Sequence, residues 1–200
     1  MTTTRRTGPP PEPTALLASL RGTVLEIGPG GGRNLRHYAP GVRWVGVEPN
    51  ARRRSRVRSE ADRLGRRALV LPGVAERLAL GDERVDGVVG TFVLCSVADL
   101  DRSLGELYRV LRPGGRYVFA EHVVASAGSR SLRVQRAFGG LTGLFGARCR
   151  PDRDSLAAIE RAGFEVTELR RWGRPGPLGV VQHIAGVARR PAATTEGTFA

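Results

Sequence analysis

The feature that most constrains this chain is Val24-Leu-Glu-Ile-Gly-Pro-Gly-Gly-Gly32. A short apolar β-branched run breaks into glycines and is followed by helix-compatible sequence from near Arg33, which predicts a buried strand, a tight turn and a helix. Ligands bind beyond the carboxyl ends of such strands, because glycines let the backbone turn sharply and approach a bound group closely. Glu26 lies within the strand, where its carboxylate is suited to accept a hydrogen bond from a cationic amino group.

The rest of the chain repeats the rhythm. Strands are predicted at Thr23–Ile27, Arg43–Glu48, Ala68–Leu71, Val85–Gly90, Arg116–Glu121, Glu165–Arg170 and Val180–Ala188. Between them, Ala51–Leu64 sets Val57, Ala61 and Leu64 on one stripe, and Leu100, Leu104, Leu107, Tyr108 and Leu111 form a second. Both patterns have helical spacing. A third helix is expected over Arg153–Ala162, capped by Asp152 or Asp154 and stopped by Gly163. The fold class that follows is α/β: a Rossmann-like, seven-stranded, mostly parallel sheet with helices on both faces. Trp172–Gly179 is rich in Gly and Pro and suits a hairpin return, so the last strand is expected to be antiparallel.

Glu48 ends the second strand, 20 residues after Gly28. An acid there is suited to take both hydroxyls of an adenosine ribose, with Pro49 beside it. This much marks an NAD site equally well. The antiparallel last strand argues against a dinucleotide dehydrogenase, whose sheet usually continues in parallel.

The order of motifs resembles the class I S-adenosylmethionine-dependent methyltransferases over residues 20–188. Beyond the first two motifs it includes Gly73-Val-Ala-Glu-Arg-Leu78, Val85-Asp-Gly-Val-Val-Gly-Thr-Phe-Val-Leu-Cys-Ser-Val97 and Leu111-Arg-Pro-Gly-Gly-Arg116. The resemblance implies S-adenosylmethionine as cofactor. It implies that Glu26 and Gly28 meet the methionine moiety, Gly30 the adenosine side, Glu48 the ribose, Ala75 the adenine edge, and Thr91 the amino group through its carbonyl. Pro29, Gly32, Asn34, Pro49 and Phe92 complete the expected cofactor shell. Family members often carry Asp where Val74 stands, which passes the adenine amino contact to Glu76 or to backbone.

Within that family the segments Thr91–Val97, Phe119-Ala-Glu-His-Val123 and Arg148–Ser155 resemble the thiol methyltransferases, whose animal members carry a membrane anchor. Here the amino terminus reads MTTTRRTGPPPEP. It has no apolar anchor and reads as a disordered leader over 1–13, preceding one domain over 14–190 and a disordered tail over 191–200. The acceptor expected is a small molecule, with a thiol leading. The alternatives are a nucleic-acid methyltransferase and a non-catalytic cofactor-binding partner protein.

Methyl transfer from a sulfonium is an in-line displacement, so alignment matters more than acid–base help. His122, with Glu121 to orient it or to hold the acceptor, is the candidate catalytic group; the competing role is a strand-end hydrogen bond. His37 and His183 read as structural. Cys95 reads as a small buried hydrophobe and Cys149 as an ordinary cysteine between arginines. Two cysteines and three histidines give no metal-ligand spacing and no disulfide framework, so a reducing cytoplasm is the simplest setting. No apolar run is long enough to span a bilayer.

The net charge of +13 would draw polyanions, but all 32 basic residues are arginine, a bias that also follows from a GC-rich coding sequence. The arginine face of the second helix, Arg52, Arg53, Arg54, Arg56 and Arg58, reads as solvated and lies away from the acceptor side. The apolar segment 126–150 is expected to cover the acceptor.

Overall fold

The computed structural model describes residues 4–5, 13–123, 153–176 and 179–192. The strands are β1 (Thr4–Arg5), β2 (Thr23–Ile27), β3 (Arg43–Val47), β4 (Ala68–Leu71), β5 (Val85–Thr91), β6 (Leu111–Val123), β7 (Glu165–Gly176) and β8 (Gly179–Arg189). The helices are α1 (Pro13–Ala18), α2 (Ala51–Arg63), α3 (Leu100–Val110) and α4 (Ser155–Arg161). One sheet contains all the strands in the order β1-β7-β8-β6-β5-β2-β3-β4. The seven expected strands are present. The two-residue β1, inside the segment read as a leader, adds an eighth by pairing parallel with β7.

The sheet is parallel from β6 through β5, β2 and β3 to β4. Strand β8 runs antiparallel to both β6 and β7, as the glycine- and proline-rich connection predicts. Gly176 pairs with Gly179, so the return is tight.

Alternation along each strand sends successive side chains to opposite faces. Leu25 and Ile27 join one apolar cluster with Leu104 and Leu107 of α3 and Leu156 and Ile159 of α4. Val24 joins the other, with Leu17 of α1 and Val57 and Ala61 of α2. Helices therefore cover both faces. Each of the three longer helices starts at a side-chain cap: Asn50, Asp99 and Asp154 accept from the backbone N–H of Arg53, Arg102 and Ala157 at 3.1, 2.9 and 3.1 Å. Such caps contribute ~1 kcal/mol each.

The structure corrects one element. The helix expected from Arg33 is a single 3-10 turn, Leu35–His37. Only seven residues separate Gly32 from Pro40, and Pro40 disfavours helical geometry at Ala39, so a longer helix has no room to nucleate. Leu111 opens β6 instead of continuing the helical stripe. The Pro113-Gly114-Gly115 stretch is drawn into β6 with a break in the ladder to β5 between Val85 and Gly87. Its backbone is held by Arg190, through Gly114 N–H to Arg190 O at 2.8 Å and Arg190 N–H to Gly115 O at 3.1 Å. The apolar segment 126–150, Cys149 and Asp152 lie outside the described residues.

Candidate active site

At the carboxyl end of β2 the chain enters the glycine loop. Gly28 donates its N–H to Val47 O at 2.9 Å, tying the loop to β3. Both Gly28 (φ +58°) and Gly30 (φ +59°) are left-handed. A Cβ on Gly28 would come within 2.6 Å of Val93 Cγ2, so this glycine also lets the loop after β5 approach. A Cβ on Gly30 would meet nothing within 4 Å. Open space therefore lies over Gly30.

Glu26 and Glu48, two of the buried carboxylates, organise this loop from different sides. Alternation places Glu26 on the α2 face, where Asn34 Nδ2, Tyr38 Oη and Trp44 Nε1 donate to its oxygens at 2.8, 2.8 and 3.0 Å. Burial raises its pKa against the opposing pull of those three bonds. Asn34 Nδ2 also reaches Thr91 Oγ1 at 3.1 Å, so the loop, β2 and the end of β5 form one connected group. Glu48, just past β3, accepts from Gly30 N–H at 3.2 Å and from Asn50 N–H at 3.0 Å. Its own carbonyl accepts from Arg54 of α2 at 3.0 Å. Each Glu48 oxygen has one bond to backbone and a further lone pair.

Across from the glycine loop, residues 92–98 leave β5. Phe92 has φ +53°, a conformation uncommon for a bulky residue. Glu121 Oε1 accepts from the N–H groups of Val93 and Leu94 at 3.1 and 3.0 Å. Its Oε2 is buried without a hydrogen-bond partner among the described residues. Burial pushes the Glu121 carboxyl well above the usual carboxylate range. At the far end of the loop, Glu76 Oε1 accepts from Ala98 N–H at 2.6 Å. Arg153 donates to Leu94 O and Val97 O at 2.8 Å each and to Ala98 O at 3.3 Å.

The two loops bound a cleft of about 480 Å³. Gly28, Glu48, Pro49, Ala75, Glu76 and Phe92 line it, six of the residues named from sequence. Val74 and Phe92 present half-exposed apolar surface, at 45% and 43%. Glu26, Asn34 and Thr91 form the supporting network described above, and Pro29 and Gly32 are buried in the loop itself. His122 pairs through its backbone with His183 in the β6–β8 ladder; its side chain lies outside the described part of the structure. Sequence reasoning missed Arg153 at this end, and read His183 as structural without locating its ring contacts. The His183 ring stacks on Trp172 (5.3 Å, 12° between planes) and meets Phe92 edge-on at 5.9 Å. Two histidines in register across β6 and β8 were the available signal. Cys95 is buried, as expected.

A cleft at the carboxyl ends of β2, β3 and β5, with a left-handed glycine loop, a carboxylate at the end of β3 and an apolar wall, fits S-adenosylmethionine. The acid would offer acceptor oxygens to a ribose diol, the open space over Gly30 would admit a ligand near backbone, and Val74 would supply apolar contact. The comparisons agree. A family model described as a methyltransferase domain matches residues 25–119. The YcgJ protein of Bacillus subtilis superposes with a TM-score of 0.76 at 16% identity, covering 90% of this chain and 98% of that one, a likeness of fold. Together, fold, cleft and sequence place this chain among the class I S-adenosylmethionine-dependent methyltransferases, and it is an enzyme of that class using that cofactor.

Within the class the chain is similar to the human thiol S-methyltransferase TMT1A, 35% identical over 170 residues, which cover 83% of this chain and 70% of that protein. It is also similar to demethylmenaquinone methyltransferase of Thermus thermophilus, 34% identical over 157 residues, 70% of this chain and 71% of that one. No helix among the described residues is long and apolar enough to cross a membrane.

Proposed function

We propose that this chain, as one domain over residues 14–190 acting in the cytoplasm, transfers a methyl group to the sulfur of a small-molecule thiol. The observation that carries the reading is the state of the cleft carboxylates. Glu48, Glu76 and Asp99 each accept hydrogen bonds from backbone amides, which supports structural or binding roles for them over that of a base. A thiol suits a site whose carboxylates are so engaged, because it is a few per cent ionised near neutrality and strongly nucleophilic and needs no more than an imidazole to take its proton, whereas an alcohol needs a stronger positioned base. The likeness to the human thiol S-methyltransferase supports the same acceptor. The buried Cys95 thiol suits a reducing compartment.

In this reading Glu26, Gly28, Asn34 and Thr91 hold the methionine end, and Gly30, Glu48, Pro49, Ala75 and Glu76 the adenosine end, with Pro29 and Gly32 shaping the loop. Bound S-adenosylmethionine supplies a methyl carbon on a sulfonium, whose displacement by the acceptor sulfur leaves the electron pair on the departing thioether. The chain aligns the acceptor, excludes water and provides His122, at the carboxyl end of β6, to take the acceptor proton; Glu121 supports that end of the site.

The test is transfer of tritiated methyl to a panel of small thiols, phenols, quinols and RNA. Label recovered in thioether products, with thiols the preferred class, is the expected result. Transfer confined to quinols, the reading the Thermus relative favours, or to phenols or RNA, would refute the thiol assignment.

A further inference from the structure

We infer that Glu121 and Arg153 are positioning residues that lock the loop 92–98 in the one conformation that turns the Phe92 ring into the cleft. The inference rests on the reading of that cleft as the site of methyl transfer and assigns the residues that set its acceptor wall.

A phenylalanine at φ +53° carries a conformational cost, and such strain persists only where the surroundings over-determine it. Here they do so through both the donors and the acceptors of the loop. Phe92 N–H donates to Ala120 O at 2.7 Å, extending the β5–β6 ladder one residue past the strand. The next two N–H groups converge on one oxygen of Glu121. The carbonyls of Leu94, Val97 and Ala98 converge on the guanidinium of Arg153. One carboxyl oxygen thus collects the amides where the loop begins, and a cation collects carbonyls along the rest of it. The bonds from the Arg153 guanidinium, being charged, are about twice as strong as neutral ones.

The geometry has an object. A phenylalanine serving only as core would be buried, yet Phe92 is 43% exposed and lines the cleft. Its other side is braced edge-on by His183, which is itself stacked on Trp172. The strained backbone therefore holds an apolar ring between a buttress and the space where ligand lies. Glu121, engaged with Val93 and Leu94, acts through the loop and not on the reacting atoms.

The test compares Glu121→Ala with Glu121→Gln, and Arg153→Met with Arg153→Lys. Three quantities are read: hydrogen exchange at the Val93 and Leu94 amides, affinity for S-adenosylhomocysteine, and KM and kcat for the best thiol of the panel. Glu121→Ala is expected to lose amide protection and to raise KM roughly tenfold, the scale of leaving a buried amide without its acceptor. Affinity for S-adenosylhomocysteine should change much less. Glu121→Gln retains an amide-accepting oxygen and should preserve protection and KM. Arg153→Met should loosen the loop more than Arg153→Lys.

Unchanged protection and KM in Glu121→Ala would overturn the inference. So would a Glu121→Gln variant with intact protection but kcat reduced as far as in Glu121→Ala, since the carboxyl would then act in the chemistry. Phe92→Gly serves where Glu121→Ala does not fold. It relieves the left-handed strain and removes the ring, so KM should rise with protection at Val93 and Leu94 retained, and an unchanged KM would refute the role of the ring. Failure of the wild type to bind S-adenosylhomocysteine would instead defeat the methyl-transfer reading, while the exchange arm still decides whether Glu121 holds the loop.

Discussion

Gly30 and Gly65 make a matched pair for locating the ligand. Both are left-handed, at φ +59° and +61°, and a Cβ on either would meet nothing within 4 Å. They differ in place: Gly30 lies over the cleft end of β2, and Gly65 follows α2 ahead of β4. Alanine in the left-handed region costs ~1–2 kcal/mol, and the reduced freedom of the unfolded chain returns ~0.4–1 kcal/mol. Gly30→Ala and Gly65→Ala should therefore each destabilise by about 1 kcal/mol, a fall in Tm of roughly 2–4 °C for a chain of this size. Binding should separate them. The new methyl of Gly30→Ala occupies the space through which a cofactor approaches backbone, so affinity for S-adenosylhomocysteine should fall by roughly tenfold or more, about 1.4 kcal/mol. Gly65→Ala should bind as the wild type does. Thermal unfolding and calorimetric titration measure both quantities, and a Gly30→Ala variant with wild-type affinity would refute the placement of the ligand over this loop.

Two further outcomes follow from the buried carboxylates. Glu26→Ala leaves Tyr38 Oη, Trp44 Nε1 and one Asn34 bond without their acceptor. At ~1–3 kcal/mol per unsatisfied buried group, the loss should be about 3 kcal/mol or more, with Glu26→Gln milder; denaturant unfolding with equal midpoints for wild type and Glu26→Ala would contradict it. Burial holds the Glu121 carboxyl, which faces Tyr117 and Cys95, above its ordinary value of 4.5, so the folded protein keeps a proton that the unfolded chain releases. Its contribution to stability is thus present below pH 4.5 and declines as pH rises from there through the raised value. Glu121→Gln has no such proton, so its unfolding free energy should gain on the wild type across that window; parallel pH profiles would argue against a raised Glu121.

Much of this architecture was legible because periodicity and punctuation carry it. β2 and β5 follow the β-branched pattern, Asp154 caps α4, and the proline- and glycine-rich connection reverses β8. The acid of Glu48 and the glycines of the loop were readable for the same reason: each satisfies a local geometric need. Less legible was what depends on distant partners. Leu17 and Leu20 of the α1 region fill the α2-side core, but their short segment precedes any clear pattern. Glu26 is tied to Trp44 by the pleat of two strands and to Tyr38 through the 3-10 turn, which the motif alone does not reveal. Arg153 reaches residues 94–98 only because α4 packs beside α3, a contact with no sequence period.

The central claim is that the cleft between the glycine loop and residues 92–98 binds S-adenosylmethionine with Glu48 on the ribose. Calorimetric titration of wild type and Glu48→Ala with S-adenosylhomocysteine, alongside NAD, tests it most directly. The account predicts selective binding of S-adenosylhomocysteine by the wild type, no comparable binding of NAD, and at least a roughly tenfold weaker Glu48→Ala complex. Equal affinity in the two proteins, or preference for NAD, would contradict it.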